Sequence, residues 1–287
     1  MILAKARRES KDFYEVLDYY LEMIRGIHKR TYDYLGNLHA SVNPMAFCEG
    51  GFYGGHLKYT DKIAPILKPM TASFGITALN ELQELYNGKS IYEDGEFALE
   101  VMQYINDKVN EFKKEDGWLY AIYGTPAESL CGKQIEQFRK EFGIITGVSD
   151  KTYVTNSFHV PVWEDITPIQ KQDSEERFWN LLNGGKIQYV RYQNSYNLDA
   201  IRVLVRRAMK KGFYEGVNLQ LSYCNCCGRQ YLDNNIPKDS DGNPYCESCN
   251  SRDITMVDRM NGLEIQYPCG FQDFKTCKCA NSPYKTV

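Results

Sequence analysis

The sequence predicts an α/β fold of parallel strand–helix–strand units, followed by a small zinc-binding segment. Two observations lead to this prediction. Amphipathic helical segments alternate with short apolar runs through residues 1–223, and eight of the ten cysteines lie within positions 224–279. A cysteine-poor body with a cysteine-rich end is typical of a reduced intracellular protein that carries a metal site, and not of a secreted disulfide framework.

The helices are predicted from apolar residues that recur at intervals of three and four. The first stripe runs from Phe13 to Ile27, with Ser10 as its expected N-cap and Gly36 just past its end. Three further helices are expected around residues 79–87, 97–112 and 201–209.

Three short apolar runs are expected to form strands, at residues 118–123, 186–192 and 217–223, and a further short run at 73–76 precedes the helix at 79–87. Helical segments separate them along the chain. Strand–helix–strand connections of this kind normally join parallel neighbours. The pattern therefore predicts a buried parallel sheet or barrel with helices on its outside.

The composition excludes several other classes of protein. The 34 basic and 37 acidic residues give a net charge of −3, which argues against a general nucleic-acid binder. No apolar run approaches the roughly 18 residues that a membrane span needs. The N-terminal residues are charged too early for a secretory signal. We therefore expect a cytoplasmic protein that binds neither membrane nor nucleic acid directly.

One candidate site is the turn that follows the predicted strand at 118–123. Thr125 as N-cap, Pro126 at the first helical position and Glu128 two residues later match a capping box, which alone would account for all three residues. The alternative is that backbone N–H groups at this helix start bind a phosphate or a carboxylate. Phosphate binding would require the Glu128 carboxylate to face a sugar hydroxyl. From the residues alone, capping is favoured.

A second candidate site is formed by two Cys-x-x-Cys pairs. Cys224 and Cys227 form the first pair, and Cys246 and Cys249 form the second after 18 intervening residues. Two such pairs at this spacing are the signature of a four-cysteine zinc ribbon, in which four thiolates leave no open position for water. We therefore expect structural zinc, with Cys226 as a competing ligand inside the first pair.

A third segment, Asp258–Gly262, begins nine residues after the last of these cysteines and by itself predicts a turn. Together with longer motifs, it resembles the anaerobic (class III, glycyl-radical) ribonucleoside-triphosphate reductase family over about residues 1–262. The other matching stretches are the cysteine pairs, Asn43-Pro44, Cys48–Gly51, Ser73–Leu82, Tyr123–Leu130, Asn156–His159, Trp163–Pro168 and Asn183–Tyr189.

The resemblance implies a ten-stranded α/β barrel, of which residues 1–223 would supply the later strands. Residues 224–262 would form the zinc ribbon and a loop in which Gly262 carries a stable radical, installed by a separate radical-SAM activase with an iron–sulfur cluster. In that family the radical oxidises a barrel cysteine to a thiyl, which abstracts the ribose 3′ hydrogen of a ribonucleoside triphosphate. The resemblance also implies that the substrate phosphates bind at Thr125, Ala127, Glu128 and Ser129.

The sequence also departs from the family pattern. The family's regulatory cone and finger-loop cysteine have no counterpart in these 287 residues, and neither Cys48 nor Cys131 lies in the motif of that cysteine. Residues 263–287 form an unrelated tail that we expect to be disordered. A working enzyme would therefore need an N-terminal reductase half or a homodimer partner. The alternative is a non-catalytic zinc-binding fragment from a truncated or split gene.

Overall fold

The computed structural model describes residues 1–50, 55–127, 129–191, 197–218, 221–232, 236–260 and 263–267. Its helices are α1 (Ile2–Glu9), α2 (Phe13–Gly36), α3 (Ala64–Leu67), α4 (Leu79–Asn87), α5 (Glu96–Asp116), α6 (Leu130–Phe142), α7 (Pro168–Trp179) and α8 (Leu198–Lys210). Its strands are β1 (Thr71–Gly75), β2 (Leu119–Tyr123), β3 (Gln188–Arg191), β4 (Glu215–Asn218), β5 (Leu221–Cys224), β6 (Gln230–Leu232), β7 (Ile254–Met260) and β8 (Leu263–Tyr267). A 3₁₀ turn at Ala40–Val42 and a π-helical turn at Met45–Glu49 precede α3.

The strands of the first 218 residues pair in parallel, as predicted. β1 pairs with β2, and β3 pairs with β4. A parallel bridge between Gly124 and Lys186 joins the end of β2 to the chain just before β3. Helices α4 and α5 connect β1 to β2, and α8 connects β3 to β4. The α/β prediction is therefore confirmed.

The apolar stripe predicted for α5 faces the main core. In the same cluster lie Phe74 of β1 and Ile122 of β2, both almost fully buried. Burying a side chain of this size contributes about 1.5–3 kcal/mol. The buried residues of α5 are Ala98, Val101, Met102, Ile105, Val109 and Phe112.

Among the described residues, no helix is both long and apolar enough to cross a membrane.

The first predicted helix forms, but its predicted N-cap is wrong. Asp12 caps α2, because its Oδ1 accepts hydrogen bonds from the backbone N–H groups of Tyr14 and Glu15. Ser10 instead ends the preceding helix α1, where it adopts a left-handed conformation with φ of 53°. A helix before Ser10 was not predicted, although α1 buries Leu3, Ala4 and Ala6.

The single strand predicted at 217–223 is also wrong, because two strands of different sheets occupy this region. β4 pairs in parallel with β3, whereas β5 pairs antiparallel with β6 and β7. Apolar residues alternate from Val217 to Tyr223. Alternation of that kind cannot show where a chain leaves one sheet for another.

The strands after residue 220 form a separate four-stranded antiparallel sheet with the order β6-β5-β7-β8. It is called the second sheet, to distinguish it from the parallel strands β1–β4. Among the residues whose burial is described, its apolar core consists of Cys224, Tyr231, Ile236, Cys246 and Ile254. A core of this size rarely stabilises a fold without a metal or a disulfide. The position of two cysteines in it links the packing of this segment to the chemistry of their sulfur atoms.

Candidate functional site

The turn predicted as a phosphate site lies where the carboxyl ends of two parallel strands meet. Gly75 of β1 stands opposite Tyr123 of β2, and the Ile76 N–H donates to the Tyr123 carbonyl at 3.1 Å. The residues that follow both strands therefore share one edge of the sheet. Ligands of parallel α/β sheets bind outside the carboxyl ends of the strands.

The end of β2 is fixed by a glycine-containing segment that precedes β3. The Ile122 N–H donates to Asn183 Oδ1 at 3.0 Å, and the Gly184 N–H donates to the Ile122 carbonyl at 2.8 Å. A Cβ atom at Gly184 would lie 2.8 Å from Ala121 Cβ and 2.9 Å from the Ile122 carbonyl oxygen. Glycine is therefore required for this close approach of the two backbones.

The structure does not place the predicted capping box at the start of α6. This helix begins at Leu130, with Ser129 as its N-cap residue and no side-chain capping bond. The prediction that Thr125 is the N-cap is therefore wrong. Thr125 and Ala127 are half-buried and Ser129 is exposed, while Glu128 lies outside the described residues.

Two long-range hydrogen bonds explain the later start of α6. The Gly124 N–H donates to the Gly185 carbonyl at 2.8 Å and thereby continues the parallel pairing of β2. The Ala127 N–H donates to Asn156 Oδ1 at 2.7 Å. Both N–H groups are therefore held by distant residues, and the helix begins only at Leu130.

Asn156 is a functional candidate whose role the sequence does not indicate beyond its place in the Asn156–His159 motif. It is fully buried, and its Oδ1 accepts from Cys131 Sγ at 2.8 Å as well as from Ala127. Burial, with a smaller contribution from the charge of Glu81, raises the pKa of Cys131 to about 12. At neutral pH Cys131 is therefore a thiol that donates a hydrogen bond, and not a reactive thiolate.

A buried carboxylate joins residues 155–157, the Asn156 segment, to α4. Glu81 Oε1 accepts from both the backbone N–H and the hydroxyl of Thr155, at 3.0 and 2.9 Å. Lys151 Nζ donates to the same oxygen at 3.0 Å. A buried carboxylate is stable only when it is paired and hydrogen-bonded in this way, so the three groups fix this segment against the start of α4.

Two residues beside this segment have a left-handed backbone although they carry side chains. Ala78, which precedes α4, has φ of 61°, and Ser157 has φ of 46°. The Ala78 N–H donates to the Thr155 carbonyl at 2.9 Å. Such conformations cost of order 1–3 kcal/mol and persist only where the surroundings enforce them, as they do at many functional sites.

The four predicted metal ligands come together in the second sheet. The sulfur atoms of Cys224, Cys227, Cys246 and Cys249 all lie within 4.8 Å of one another. The Cys224–Cys249 and Cys227–Cys246 sulfur pairs are each 3.5 Å apart. Four thiolates around one tetrahedral zinc ion lie about 3.8 Å from each other, so the donor set fits this ion.

The two cysteine pairs share one backbone geometry. The N–H of Gly228 donates to the Cys224 carbonyl at 2.9 Å, and the N–H of Asn250 donates to the Cys246 carbonyl at 2.7 Å. Each donor directly follows the second cysteine of its pair and has a positive φ, of 75° and 54° respectively. Glycine and asparagine are the residues that adopt this conformation most readily. This repeated turn directs the two sulfur atoms of each pair to one point.

A tyrosine supports the second pair from outside the four sulfur atoms. The Tyr231 hydroxyl donates to Cys246 Sγ at 3.3 Å and accepts from the Glu247 N–H at 3.1 Å. This hydrogen bond lowers the pKa of Cys246, whereas burial and hydrogen bonds to the neighbouring sulfur atoms raise the pKa of Cys249. A lowered pKa favours the thiolate form that binds metal. Cys226, the competing candidate, is exposed and is not one of the four clustered cysteines.

The predicted radical position, Gly262, lies outside the described residues. Residues 258–260 belong to β7, so the predicted turn does not begin at Asp258, but the antiparallel pairing of Met260 with Leu263 requires the chain to reverse between these two residues. β8 pairs antiparallel with β7, with Leu263 opposite Met260. The disorder expected for the tail is therefore wrong for residues 263–267.

Curated relatives resemble this chain over most of its length. An anaerobic ribonucleoside-triphosphate reductase of Haemophilus influenzae is 31% identical over 233 residues, which are 79% of this chain and 33% of the relative. The enzyme of Escherichia coli is 30% identical over 234 residues with the same coverage, and that of bacteriophage T4 is 32% identical over 197 residues. The chain thus spans about a third of the length of these relatives.

Solved structures show the same fold at lower sequence identity. An anaerobic ribonucleotide reductase matches 92% of this chain and 39% of its own, with a TM-score of 0.64 and 16% identity. The reductase of Thermotoga maritima in complex with dATP and CTP matches 92% of this chain and 41% of its own, with a TM-score of 0.61 and 16% identity. The family model described as anaerobic ribonucleoside-triphosphate reductase matches residues 1–276, which extends beyond the motifs that end at Gly262. The chain therefore belongs to the anaerobic ribonucleoside-triphosphate reductase family.

Proposed function

We propose that this chain is the C-terminal catalytic portion of an enzyme that reduces ribonucleoside triphosphates to deoxyribonucleoside triphosphates in the anaerobic cytoplasm. Residues 1–223 supply the later strands of a ten-stranded barrel, and residues 224–262 supply a zinc ribbon and the radical loop. The observation that carries this proposal is the family match over residues 1–276. The remaining barrel strands and the finger-loop cysteine come from an N-terminal reductase half; a homodimer partner of the same 287 residues would supply neither.

The substrate phosphates bind at the turn formed by Thr125, Ala127, Glu128 and Ser129. This turn follows β2 and directly precedes α6, a helix of 13 residues whose N-terminus has no side-chain capping bond. Uncapped N–H groups at a helix N-terminus carry a partial positive charge and bind anions. The position of the turn at the carboxyl ends of β1 and β2 supports the same assignment.

Zinc is the structural cofactor of the ribbon. Cys224, Cys227, Cys246 and Cys249 hold it as thiolates, and the spacing of their sulfur atoms fits a tetrahedral ion. The metal supplies folding free energy that the small core of the second sheet lacks.

Gly262 is the radical residue, which a radical-SAM activase with an iron–sulfur cluster converts to its radical form. The glycyl radical, when present, would oxidise the cysteine thiol of the partner segment to a thiyl by taking its hydrogen atom. A glycine suits this role because it carries no side chain to crowd a planar α-carbon. The tether from Cys249 to the strand β7 is short, so a folded ribbon restricts where the residues after β7 can lie.

Anaerobic co-expression of this chain with an activase and an N-terminal reductase half tests the proposal. Electron paramagnetic resonance should then show a glycyl doublet, and Gly262→Ala should remove it. A doublet that persists in the alanine variant would assign the radical to another glycine.

A second candidate function is a non-catalytic zinc-binding fragment. It is favoured by the cysteine cluster, because Cys224 at the end of β5 and the three cysteines of the adjoining turns bring their sulfur atoms together within one small segment of the chain. A chain that binds zinc but gives no glycyl doublet under the conditions above would support this function over the reductase.

A further inference from the structure

We propose that Asn156 is the positioning residue that holds the Thr125–Ser129 turn in the conformation that accepts phosphate. This inference rests on the proposed function, because it explains how the proposed phosphate site is kept in shape. Asn156 itself is fully buried and acts through the backbone of the turn.

One carbonyl oxygen of Asn156 connects the turn to the helix behind it. Asn156 Oδ1 accepts from the Ala127 N–H at 2.7 Å and from Cys131 Sγ at 2.8 Å. Ala127 lies in the middle of the turn, and Cys131 lies in the first turn of α6. The same oxygen therefore sets the distance between the turn and the N–H groups of the helix start.

The backbone of Asn156 is anchored to the neighbouring strand end. Asn156 forms an antiparallel bridge with Thr77, and the Thr155 carbonyl accepts from the Ala78 N–H at 2.9 Å. Gln134 of α6 adds a further connection, because its Nε2 donates to Thr77 Oγ1 at 2.9 Å. Hydrogen bonds thus link the turn after β2, the start of α6 and the residues after β1.

The Asn156 segment is held firmly enough to keep an unfavourable backbone conformation. Ser157, the next residue, is fully buried with φ of 46°. Thr155, the preceding residue, is held through two hydrogen bonds to Glu81. A side chain presented from such a segment has little freedom, so Asn156 is a rigid support and not a mobile contact.

Loss of the Asn156 oxygen would remove this support without removing any group that contacts the ligand. The Ala127 N–H would lose its partner, and the turn could adopt several conformations. Phosphate would then have to order the turn on binding, which lowers affinity. One net hydrogen bond corresponds to a loss of up to about tenfold in affinity.

The test uses the full 287-residue chain with CTP as the probe and cytidine, which lacks phosphate, as the matched ligand. Asn156→Ala should weaken CTP binding about tenfold, leave the weak binding of cytidine unchanged, and speed hydrogen exchange at the Ala127 amide. Asn106→Ala is the control, because Asn106 lies on α5, outside this site. Its side-chain amide donates to the Leu181 carbonyl at 2.8 Å and accepts from the Asn110 side chain at 2.9 Å. The control variant should change neither readout.

Cys131 provides a second pair of variants in case Asn156→Ala does not fold. Cys131→Ser keeps a donor to Asn156 Oδ1. Cys131→Ala has nearly the same volume as the serine variant but no donor. CTP should bind the serine variant as it binds the unmodified chain, and should bind the alanine variant more weakly. Equal CTP affinity in the two variants would overturn the role of the Asn156–Cys131 contact.

The outcomes separate this inference from the proposed function. If the unmodified chain binds CTP no better than cytidine, the phosphate site itself is refuted, and the role of Asn156 with it. If the unmodified chain prefers CTP and Asn156→Ala keeps that preference, the phosphate site stands and the positioning role is wrong. A general loss of stability would change cytidine and CTP binding together, which would also contradict the inference.

Discussion

Replacement of one zinc ligand should separate the four-cysteine assignment from its alternatives. Cys246→Ser removes a buried sulfur that lies 3.5 Å from Cys227 Sγ and accepts a hydrogen bond from Tyr231. Structural zinc sites contribute roughly 10–16 kcal/mol, so an equal share for each of four ligands corresponds to about a 100- to 1000-fold loss of affinity. The variant should therefore lose its zinc to a chelator concentration that the unmodified chain withstands.

Two further variants sharpen this prediction. Cys226→Ser is the matched control, because Cys226 lies between two ligands in sequence but is exposed and outside the cluster. It should retain one zinc ion per chain. Tyr231→Phe removes only the hydroxyl that donates to Cys246 Sγ, and it should weaken zinc binding by about 10- to 100-fold.

Zinc content measured by atomic absorption after dialysis against graded chelator provides the assay. Hydrogen exchange of residues 221–260 should report the linked loss of structure, since two of the ligands, Cys224 and Cys246, belong to the described core of this sheet. Unchanged zinc content in Cys246→Ser, or equal losses in Cys246→Ser and Cys226→Ser, would refute the assignment of the four ligands.

Three further predictions concern the rest of the chain. Exposure of the activated protein to oxygen should cut the backbone at Gly262 and leave a slightly shortened fragment on a denaturing gel; cleavage at another residue would contradict this. Thr125→Ala should weaken CTP binding with little change in melting temperature, because Thr125 is not the N-cap of α6; unchanged CTP affinity would leave Thr125 without a binding role. Lys171→Met should cost about 3–5 kcal/mol at pH 7, because it leaves the fully buried Glu175 carboxylate without its cation. Burial acts to raise the pKa of Glu175, but the charge of Lys171 outweighs it and lowers that pKa to about 2. Burial also lowers the pKa of His159, so the cation beside Glu175 at neutral pH is Lys171. The stability that the Lys171–Glu175 pair contributes should therefore be lost as pH falls from about 4.5 to about 2, and a melting temperature that is flat over this range would contradict the pairing.

The parts of the structure that depend on local pattern could be predicted from the sequence. The stripe of α5 is buried as expected, and its regular spacing over 21 residues leaves no competing interpretation. The cysteine cluster was also predictable, because each pair closes on a short turn of its own. The missed helix α1 is only eight residues long, too short for a periodic stripe to stand out.

The start of α6 shows why local rules fail at the candidate site. The pattern Thr-Pro-x-Glu/Gln occurs at Thr125 and again at Thr167. At Thr167 the full capping box forms: the Gln170 N–H donates to Thr167 Oγ1 at 3.3 Å, and the Thr167 N–H donates to Gln170 Oε1 at 2.9 Å. At Thr125 the helix starts five residues later, because Asn156, 29 residues from Ala127, accepts the Ala127 N–H.

This difference bears on function as well as on prediction. A capping box would satisfy the N–H groups of a helix start with side chains of the same segment, and would leave fewer of them for an anion. At the start of α6, the distant residue Asn156 instead accepts the Ala127 N–H of the turn. Ser129 makes no side-chain capping bond. The arrangement holds the turn in place through Asn156, and the first helical N–H, that of Leu130, donates to the Ala127 carbonyl at 3.1 Å. The local rule therefore failed at the position where a ligand, in place of the chain's own side chain, is proposed to complete the hydrogen bonds.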